Sequence, residues 1–427
     1  MSSDTATTSK LASLGWAFYL GCSWTWVIGM FLPVLLVRDF GTAGWVIFAI
    51  PNVVGAAAMG WVLKSQHASE VFCRMHRKML ATFTIVTVLF QAFTLGFLLT
   101  NFLNVVFAGL IGVGVWVTVL LASCAASLPQ RLVAIAVWIT SMVLAALYFT
   151  TDTDALSFAP FGVQRTSVAS GIAFGDFLGL LSVCVLGFAC CPYLDLTFHH
   201  ARQNTSRGGA KLAFGVGFGV IFFAMIGFTL VYSTELPWLA RASLALGNVR
   251  EALPMIAWLL MIHLAIQVAF TCTVHLRQWP AVSSRTMLMV LASAVLFGVG
   301  MLVGVRPMWM LEREFGEQLY RCFLAFYGLV APTYLLLVAI AGVSIRWWVF
   351  TMLAALPFFA TGFLLPGMMM WSLPGVAVVG MSFALAAIAS GGFRRMAQMR
   401  QHRFAAASAA DERAVDARGF EVIPAHE

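Results

Sequence analysis

Few side chains that could bind an ion, a proton or a polar solute fall within the apolar stretches of this chain. Among the acids only Asp176 and Asp195 do so, and Asp176 is expected near an outer end. Asp195 follows the sequence C-C-P-Y-L, in which proline removes a backbone donor and breaks or kinks a helix. In a membrane, freed backbone groups are tolerated only where protein or a water-filled cavity satisfies them. The break therefore predicts a site, with a simple proline kink and an interfacial aspartate as the alternative. Its candidate residues are Cys191, Pro192, Tyr193 and Asp195.

A second interruption lies in the middle of the first apolar stretch, which reads W-A-F-Y-L-G-C-S-W-T-W-V-I-G-M-F-L-P. Glycine and proline at mid-depth permit an unwound turn whose carbonyls and amides can face a ligand or an ion. A small-residue packing face, with Ser and Thr bonding back to the helix, is the alternative. The candidate residues here are Gly21, Cys22, Ser23 and Thr25.

A third set of polar residues recurs at four-residue spacing, which places them along one slowly turning helix face. The set is His263, Gln267, Thr271 and His275. Lipid does not favour such a face, so it is expected to point into a bundle or a cavity. The pKa of a histidine in water lies near 6.5, which would suit His263 for proton coupling. Hydrogen bonds to neighbouring helices are the alternative, and His275 is expected at the cytoplasmic interface.

The elements that must position these residues are membrane-spanning helices. The 427 residues are 61% hydrophobic and only 10% charged, whereas roughly a quarter of the residues of a soluble domain are charged. Repeated apolar runs of about 20 residues predict an all-α, polytopic integral membrane protein with about twelve transmembrane helices. The predicted spans are 12–37, 43–63, 79–101, 104–126, 131–149, 170–198, 211–233, 253–274, 285–305, 318–343, 346–365 and 371–391.

Basic residues favour the cytoplasmic side in short loops, which orients these spans. With the N-terminus inside, all but seven of the 25 Lys and Arg residues fall in inner segments. The seven outer ones are Arg38, Arg165, Arg241, Arg250, Arg306, Arg313 and Arg321. We therefore expect both termini in the cytoplasm and a location in the plasma (inner) membrane.

The spans divide the chain into predicted segments. Residues 1–11 form a cytoplasmic N-terminus without signal-peptide organisation, and 392–427 form a cytoplasmic tail expected to be disordered. Between them lie a first five-helix unit (12–149), an external loop (150–169), a second five-helix unit (170–343) and two additional helices (346–391). The eight cysteines contain no C-x-x-C pair and are interpreted as small core residues, so no metal site is expected.

Interrupted helices at corresponding positions of two halves indicate an inverted-repeat transporter. The interruptions here fall in spans one and six, five spans apart, and two spans follow the tenth. This pattern resembles the LeuT-like 5+5 arrangement of the amino acid–polyamine–organocation superfamily. The resemblance implies a solute held near the midplane between spans one, three, six and eight. It also implies coupling to H⁺ or Na⁺; sodium-coupled members use a Ser/Thr pair on span eight, for which Thr271 and Thr273 are a loose match.

The sequence C-P-Y-L-D-L-T-F-H-H from Cys191 to His200 is also similar to the sixth-helix M-P-H-N-x-x-L-H segment of Nramp-type metal transporters. Cys191 replaces the methionine, Tyr193 replaces the histidine, and span one lacks D-P-G-N. These differences do not favour transport of a divalent metal, although the broken-helix geometry would be shared.

The sequence thus predicts a secondary active transporter (permease or symporter) that moves a small solute by alternating access and has no enzymatic activity. Its expected partners are the bilayer and the solute, not nucleic acid, and no cofactor is expected. A major-facilitator-like permease is the alternative, although its long central loop and its loop motif after span two are missing. A channel, a sensor or a membrane enzyme that uses Asp195 with His199 and His200 is a further alternative.

Overall fold

The chain is described by a computed structural model over residues 10–125, 128–151, 184–233, 255–279, 283–305, 314–350 and 352–353. Within these ranges the structure is all-helical and contains no strand. The prediction of an all-α fold is therefore confirmed. The outer loop 150–169, the first part of span six and everything after 353 lie outside the described residues, except for the helical end at 150–151.

The helices between Lys10 and Thr151 follow one another with short connections. In the first half they are α1 (Lys10–Trp24), α2 (Val27–Phe40), α3 (Thr42–Val62), α4 (Gln66–Met75), α5 (Arg77–Phe102), α6 (Val105–Cys124) and α7 (Gln130–Thr151). The second half begins with α8 (Cys184–Leu194), α9 (Leu196–Gln203) and α10 (Arg207–Ser233). It continues with α11 (Met255–Gln278), α12 (Ser283–Val305) and α13, which runs from Glu314 to Ile340.

Eight of the described helices are long and apolar enough to cross a membrane, or nine if the bent pair α1–α2 counts as one span. These nine correspond to predicted spans one to five and seven to ten. Their outward faces carry large apolar side chains such as Leu121 (66% exposed), Val295 (70%) and Leu302 (65%). A soluble protein would not leave so many of them exposed together, so this surface favours an integral membrane protein. The count of twelve and the repeat remain predictions, since the last two spans fall almost wholly outside the described residues.

The first span is broken, as its composition predicts. The axes of Lys10–Trp24 and Val27–Val37 meet at 55°, and only Thr25 and Trp26 between them are non-helical. Trp26 has an extended backbone (φ −90°, ψ 175°) and begins α2. The break lies at the C-terminal edge of the predicted stretch, and Pro33 lies inside α2 without interrupting it.

The sixth span is also broken where Pro192 predicts it. The last turn of α8, Cys191–Leu194, tightens into a 3₁₀ helix with the proline at its start. Asp195 then takes an extended backbone (φ −90°, ψ 116°) and forms the N-cap of α9. Asp195 was expected one turn beyond the break, but it lies at the break itself, because its side chain caps the new helix.

Close helix contacts hold the two breaks in the centre of the bundle. The helix α1 packs against α7, α10 and α11, and the helix α5 packs against α11 and α12. At Gly21 an added Cβ would lie 2.7 Å from Ile221 Cγ2, and at Gly55 it would lie 2.4 Å from the Phe188 carbonyl oxygen. Glycine is therefore required for α1 to approach α10 and for α3 to approach α8.

Candidate functional site

The two helix breaks lie side by side, although 174 positions separate the residues that join them. The Thr197 hydroxyl, at the start of α9, lies within hydrogen-bond distance (3.3 Å) of the Ser23 hydroxyl at the end of α1. The rings of Trp24 and Phe198 pack beside this contact, with centroids 4.9 Å apart. Breaks predicted independently in two spans thus form one junction.

The backbone carbonyls freed by the first break are satisfied within the protein. The Gly21 carbonyl accepts from the Thr25 hydroxyl (2.7 Å). The Cys22 carbonyl accepts from the backbone N–H of Thr25 (3.2 Å) and from the Thr271 hydroxyl on α11 (3.3 Å). The Ser23 carbonyl accepts from the indole N–H of Trp26. The unwound turn is therefore closed by its own polar groups, so these carbonyls do not face an empty site.

Asp195 is fully buried at the second break. Its Oδ1 accepts two hydrogen bonds from Thr197, one from the backbone N–H and one from the hydroxyl, each over 2.7 Å. Its Oδ2 is buried and has no hydrogen-bond partner in the described part of the chain. Oδ1 is thus fixed by its role in the helix cap, whereas Oδ2 is buried without a hydrogen bond, which costs free energy in an apolar interior.

His275 faces the unused oxygen, with Nε2 3.7 Å from Asp195 Oδ2. This ring is also fully buried, and within the described residues neither of its nitrogens has a hydrogen-bond partner. His275 was expected at the cytoplasmic interface; its ring is enclosed by protein, because α11 extends one turn past the predicted span end at 274 and packs against α9 and the α1–α2 break. The Asp195–His275 pair is the only ion-pair contact of Asp195 among the described residues.

A cleft of about 730 Å³, including its mouth, opens beside the pair between α2, α3, α8 and α13. Its lining is almost entirely apolar and contains no charged side chain. The residues that line it are Trp24, Trp26, Ile28, Gly29, Leu32, Asn52, Cys184, Gly187, Phe188, Cys191, Leu324, Tyr327 and Gly328. Asn52 supplies the one side-chain amide, and its Oδ1 accepts from the Trp24 indole N–H over 2.6 Å.

Trp26 separates the cleft from the buried pair. Its ring lines the cleft and also lies against the His275 ring, with centroids 5.5 Å apart. Tyr327 packs on the same indole at 5.4 Å and hydrogen-bonds through its hydroxyl to Thr87 on α5 (2.8 Å). A molecule in the cleft would therefore touch a side chain that in turn touches the pair.

The structure brings together most of the residues predicted at the two breaks. Cys191 lines the cleft, and its thiol donates to the Tyr327 carbonyl (3.2 Å). The Pro192 carbonyl accepts from the backbone N–H of Asp195 (3.3 Å), and Tyr193 is partly buried beyond it. Cys22 is turned towards α7, where its thiol donates to the Ala134 carbonyl (3.4 Å).

The predicted polar face of α11 is buried along its length, but its members lie in separate surroundings. Gln267 donates through Nε2 to the Ser141 hydroxyl on α7 (2.8 Å), and its Oε1 lacks a partner among the described residues. The His263 ring lies edge-on to Phe228 (centroids 5.5 Å apart) and has no hydrogen-bond partner in the same ranges. Since a helix rises 1.5 Å per residue, His263 lies about 18 Å along α11 from His275. Only the His275 end of this face reaches Asp195.

His199, one residue past the predicted end of span six at 198, connects α9 to α4 and is not paired with Asp195. Its Nδ1 pairs with the Ser69 hydroxyl (2.8 Å) and its Nε2 pairs with the Tyr193 carbonyl (2.9 Å). The ring stacks on Phe72 at 5.3 Å. Burial lowers the pKa of His199 from 6.5 to about 4, so the ring is neutral near pH 7.

The aromatic part of the site was not singled out by the sequence. Trp24, Trp26 and Tyr327 belong to apolar runs rich in aromatic residues, where nothing local distinguishes a cleft wall from a core side chain. Trp24 and Trp26 flank Thr25 in the sequence W-T-W, and their position beside a predicted break is the one signal that could have identified them.

No known protein family matches this chain, and comparisons with characterised proteins and with solved structures give no match.

Proposed function

We propose that this protein is a secondary active transporter that moves a small solute across the membrane by alternating access. The observation that carries the proposal is the junction of two broken helices beside an apolar cleft, with an incompletely paired carboxylate directly behind the cleft wall. Burying a helix break and a carboxylate in an apolar interior both cost free energy, so a helical bundle with a purely structural role would gain nothing from either. Broken helices at membrane depth are the usual means of forming a solute site.

The lining of the cleft favours an uncharged and mainly apolar solute. Its walls are aromatic and aliphatic, and a charged group there would lose its hydration without gaining a counter-charge. The Asn52 amide could donate one hydrogen bond to a carbonyl or hydroxyl of such a solute. Trp24 and Trp26 would stack on a flat ring.

The positions of the breaks support a LeuT-like 5+5 repeat as the architecture of this transporter. They fall in predicted spans one and six, and α11 (span eight) and α5 (span three) both approach the junction. We further propose the twelve-span topology with both termini in the cytoplasm, since the distribution of basic residues favours it. Fusing a reporter that is active only in the cytoplasm, or only outside it, to residues 1, 150 and 427 tests this orientation.

Uptake into proteoliposomes containing the purified protein tests the function. The panel should compare uncharged aromatic and aliphatic solutes with zwitterionic, anionic and cationic ones, under an imposed proton gradient and under a sodium gradient. We expect protein-dependent accumulation of an uncharged solute. Accumulation of charged solutes alone would overturn the solute class, and no accumulation or exchange of any solute would overturn the transporter.

A further inference from the structure

The buried pair of Asp195 and His275 is polar, incompletely bonded and placed behind the cleft wall. We propose that this pair binds a single proton and that, if the chain is a transporter as proposed above, this proton is the coupling ion. The proton resides on Oδ2 of Asp195 or on Nε2 of His275, which face each other across 3.7 Å.

Charge balance explains why one proton is required when the pair is enclosed. Without it, a carboxylate and a neutral imidazole form a net negative charge between two side chains that are both 0% exposed. With it, the pair is either acid and imidazole or carboxylate and imidazolium, and both forms are neutral overall. Burial of an unpaired charge is far more costly than burial of a neutral pair. The closed junction therefore selects the form that carries one proton.

A metal cation fits this position less well than a proton. A hard cation requires several oxygen ligands, and the carbonyls of Gly21, Cys22 and Ser23 already accept hydrogen bonds from the protein. Among the described residues Asp195 Oδ2 is the one carboxylate oxygen at the junction without a hydrogen-bond partner, and an imidazole faces it. No group of three or more His, Cys, Asp or Glu side chains suited to a metal ion occurs in the described part of the chain.

The other titratable groups around the pair belong to four helices. Tyr19 of α1, Cys191 of α8 and Tyr327 of α13 lie within electrostatic reach of the carboxylate. Arg277 of α11 is the nearest cation in sequence, and its guanidinium donates to the Ala122 and Ala125 carbonyls at the end of α6. None of these groups is placed within ion-pair distance of Asp195 in the described ranges, so His275 is the partner that shares the proton.

Trp26 provides a direct link between the proton and the solute. Its ring contacts the cleft on one side and the His275 ring on the other. A solute seated in the cleft would hold Trp26 in place and so keep the pair enclosed and protonated. When the junction opens to the opposite side, water reaches the pair, the proton leaves to that water, and carboxylate and imidazole return to their starting forms.

Potentiometric difference titration of the purified full-length protein in detergent tests the proton site without any solute. The variants are Asp195→Asn, His275→Gln and the double variant, with His263→Gln as the matched control on the same helix. Asparagine still caps a helix, so α9 should be retained in the first variant.

We expect Asp195→Asn to lose one titrating proton, the double variant to lose that same single proton, and His263→Gln to titrate like the wild type. We expect His275→Gln to move the midpoint by about one pH unit or more, since a neighbouring titratable partner shifts a carboxyl by that amount.

Loss of two independent protons in the double variant, or of none in Asp195→Asn, would overturn the proposal. A midpoint that moves when choline chloride is replaced by sodium chloride would assign the site to a cation instead. Proteoliposome assays then separate the two proposals: Asp195→Asn should retain solute exchange and lose accumulation driven by a proton gradient. A correct titration without any transport would refute the transporter alone, and transport without the titration would refute the proton site alone.

Discussion

The hydroxyl of Thr197 donates its one proton to Oδ1 of Asp195 (2.7 Å), and its oxygen lies 3.3 Å from the hydroxyl oxygen of Ser23. One side chain thereby ties the break in the first span to the break in the sixth and fixes the orientation of the buried carboxylate. The unused Oδ2 is turned towards His275 as a result.

Replacing Thr197 by valine should lower the free energy of unfolding by about 1–3 kcal/mol, because Asp195 loses a buried donor and Ser23 loses a partner. Thr197→Ser retains the hydroxyl and should unfold close to the wild type. Chemical unfolding in detergent, followed by tryptophan fluorescence, measures both variants. A Thr197→Val variant that unfolds like the wild type would contradict this role of the hydroxyl.

Adding a methyl group at Gly55 should disturb the contact between α3 and α8. The new Cβ would lie 2.4 Å from the Phe188 carbonyl oxygen, which is backbone and cannot move without shifting α8. We expect Gly55→Ala to destabilise the protein by about 1–3 kcal/mol. Gly114→Ala is the matched control, since nothing lies within 4 Å of its Cβ position, and alanine should stabilise α6 by up to about 1 kcal/mol. Thermal unfolding midpoints that fail to separate the two variants would contradict the close approach.

Filling the cleft should block solute movement without unfolding the protein. Gly29 lines the cleft, and a Cβ there meets only ordinary contacts at 3.7 Å or more. We expect Gly29→Leu to reduce uptake by at least about tenfold, equivalent to about 1.4 kcal/mol of lost solute binding. Gly227→Leu, on α10 with nothing within 4 Å of its Cβ position, should transport like the wild type. Uptake in proteoliposomes, normalised to folded protein, distinguishes them; unimpaired Gly29→Leu would exclude this cleft as the route.

Acid should weaken the contact between α9 and α4. The folded-state pKa of His199 is about 4 against an ordinary 6.5, so the unfolded chain binds this proton more readily. The stability that His199 contributes is present above pH 6.5 and is lost as the pH falls towards 4, by about 2 kcal/mol near pH 5. Unfolding measured at about pH 7.5 and 5 should therefore differ less in His199→Gln than in the wild type. His67→Gln, on the exposed side of α4, should leave the difference unchanged.

Composition alone predicted the helical class, since apolar runs long enough to span hydrocarbon must satisfy their backbone groups internally. The local sequence located both breaks. Pro192 cannot donate in a helix, and the Gly, Ser and Thr residues before Trp26 permit an unwound turn. These are local properties of the chain, so local sequence was sufficient to predict them.

The partners at the junction depend on tertiary structure. His275 was assigned to an interface because it stands near the end of an apolar run, yet packing of α11 against α1 and α9 buries it beside Asp195. Likewise, the carbonyls expected to face a ligand are satisfied by Thr25, Trp26 and Thr271.

The sequence by itself determined the helical class, the approximate course of the described spans and the places of the two breaks. These follow from hydrophobicity, from the missing donor of Pro192 and from the Gly, Ser and Thr residues before Trp26. Only the tertiary structure decided which polar atoms stay unpaired and which aromatic rings form the cleft. Those outcomes depend on residues such as Ser23, Thr197 and His275 that are far apart along the chain and meet only when the helices pack.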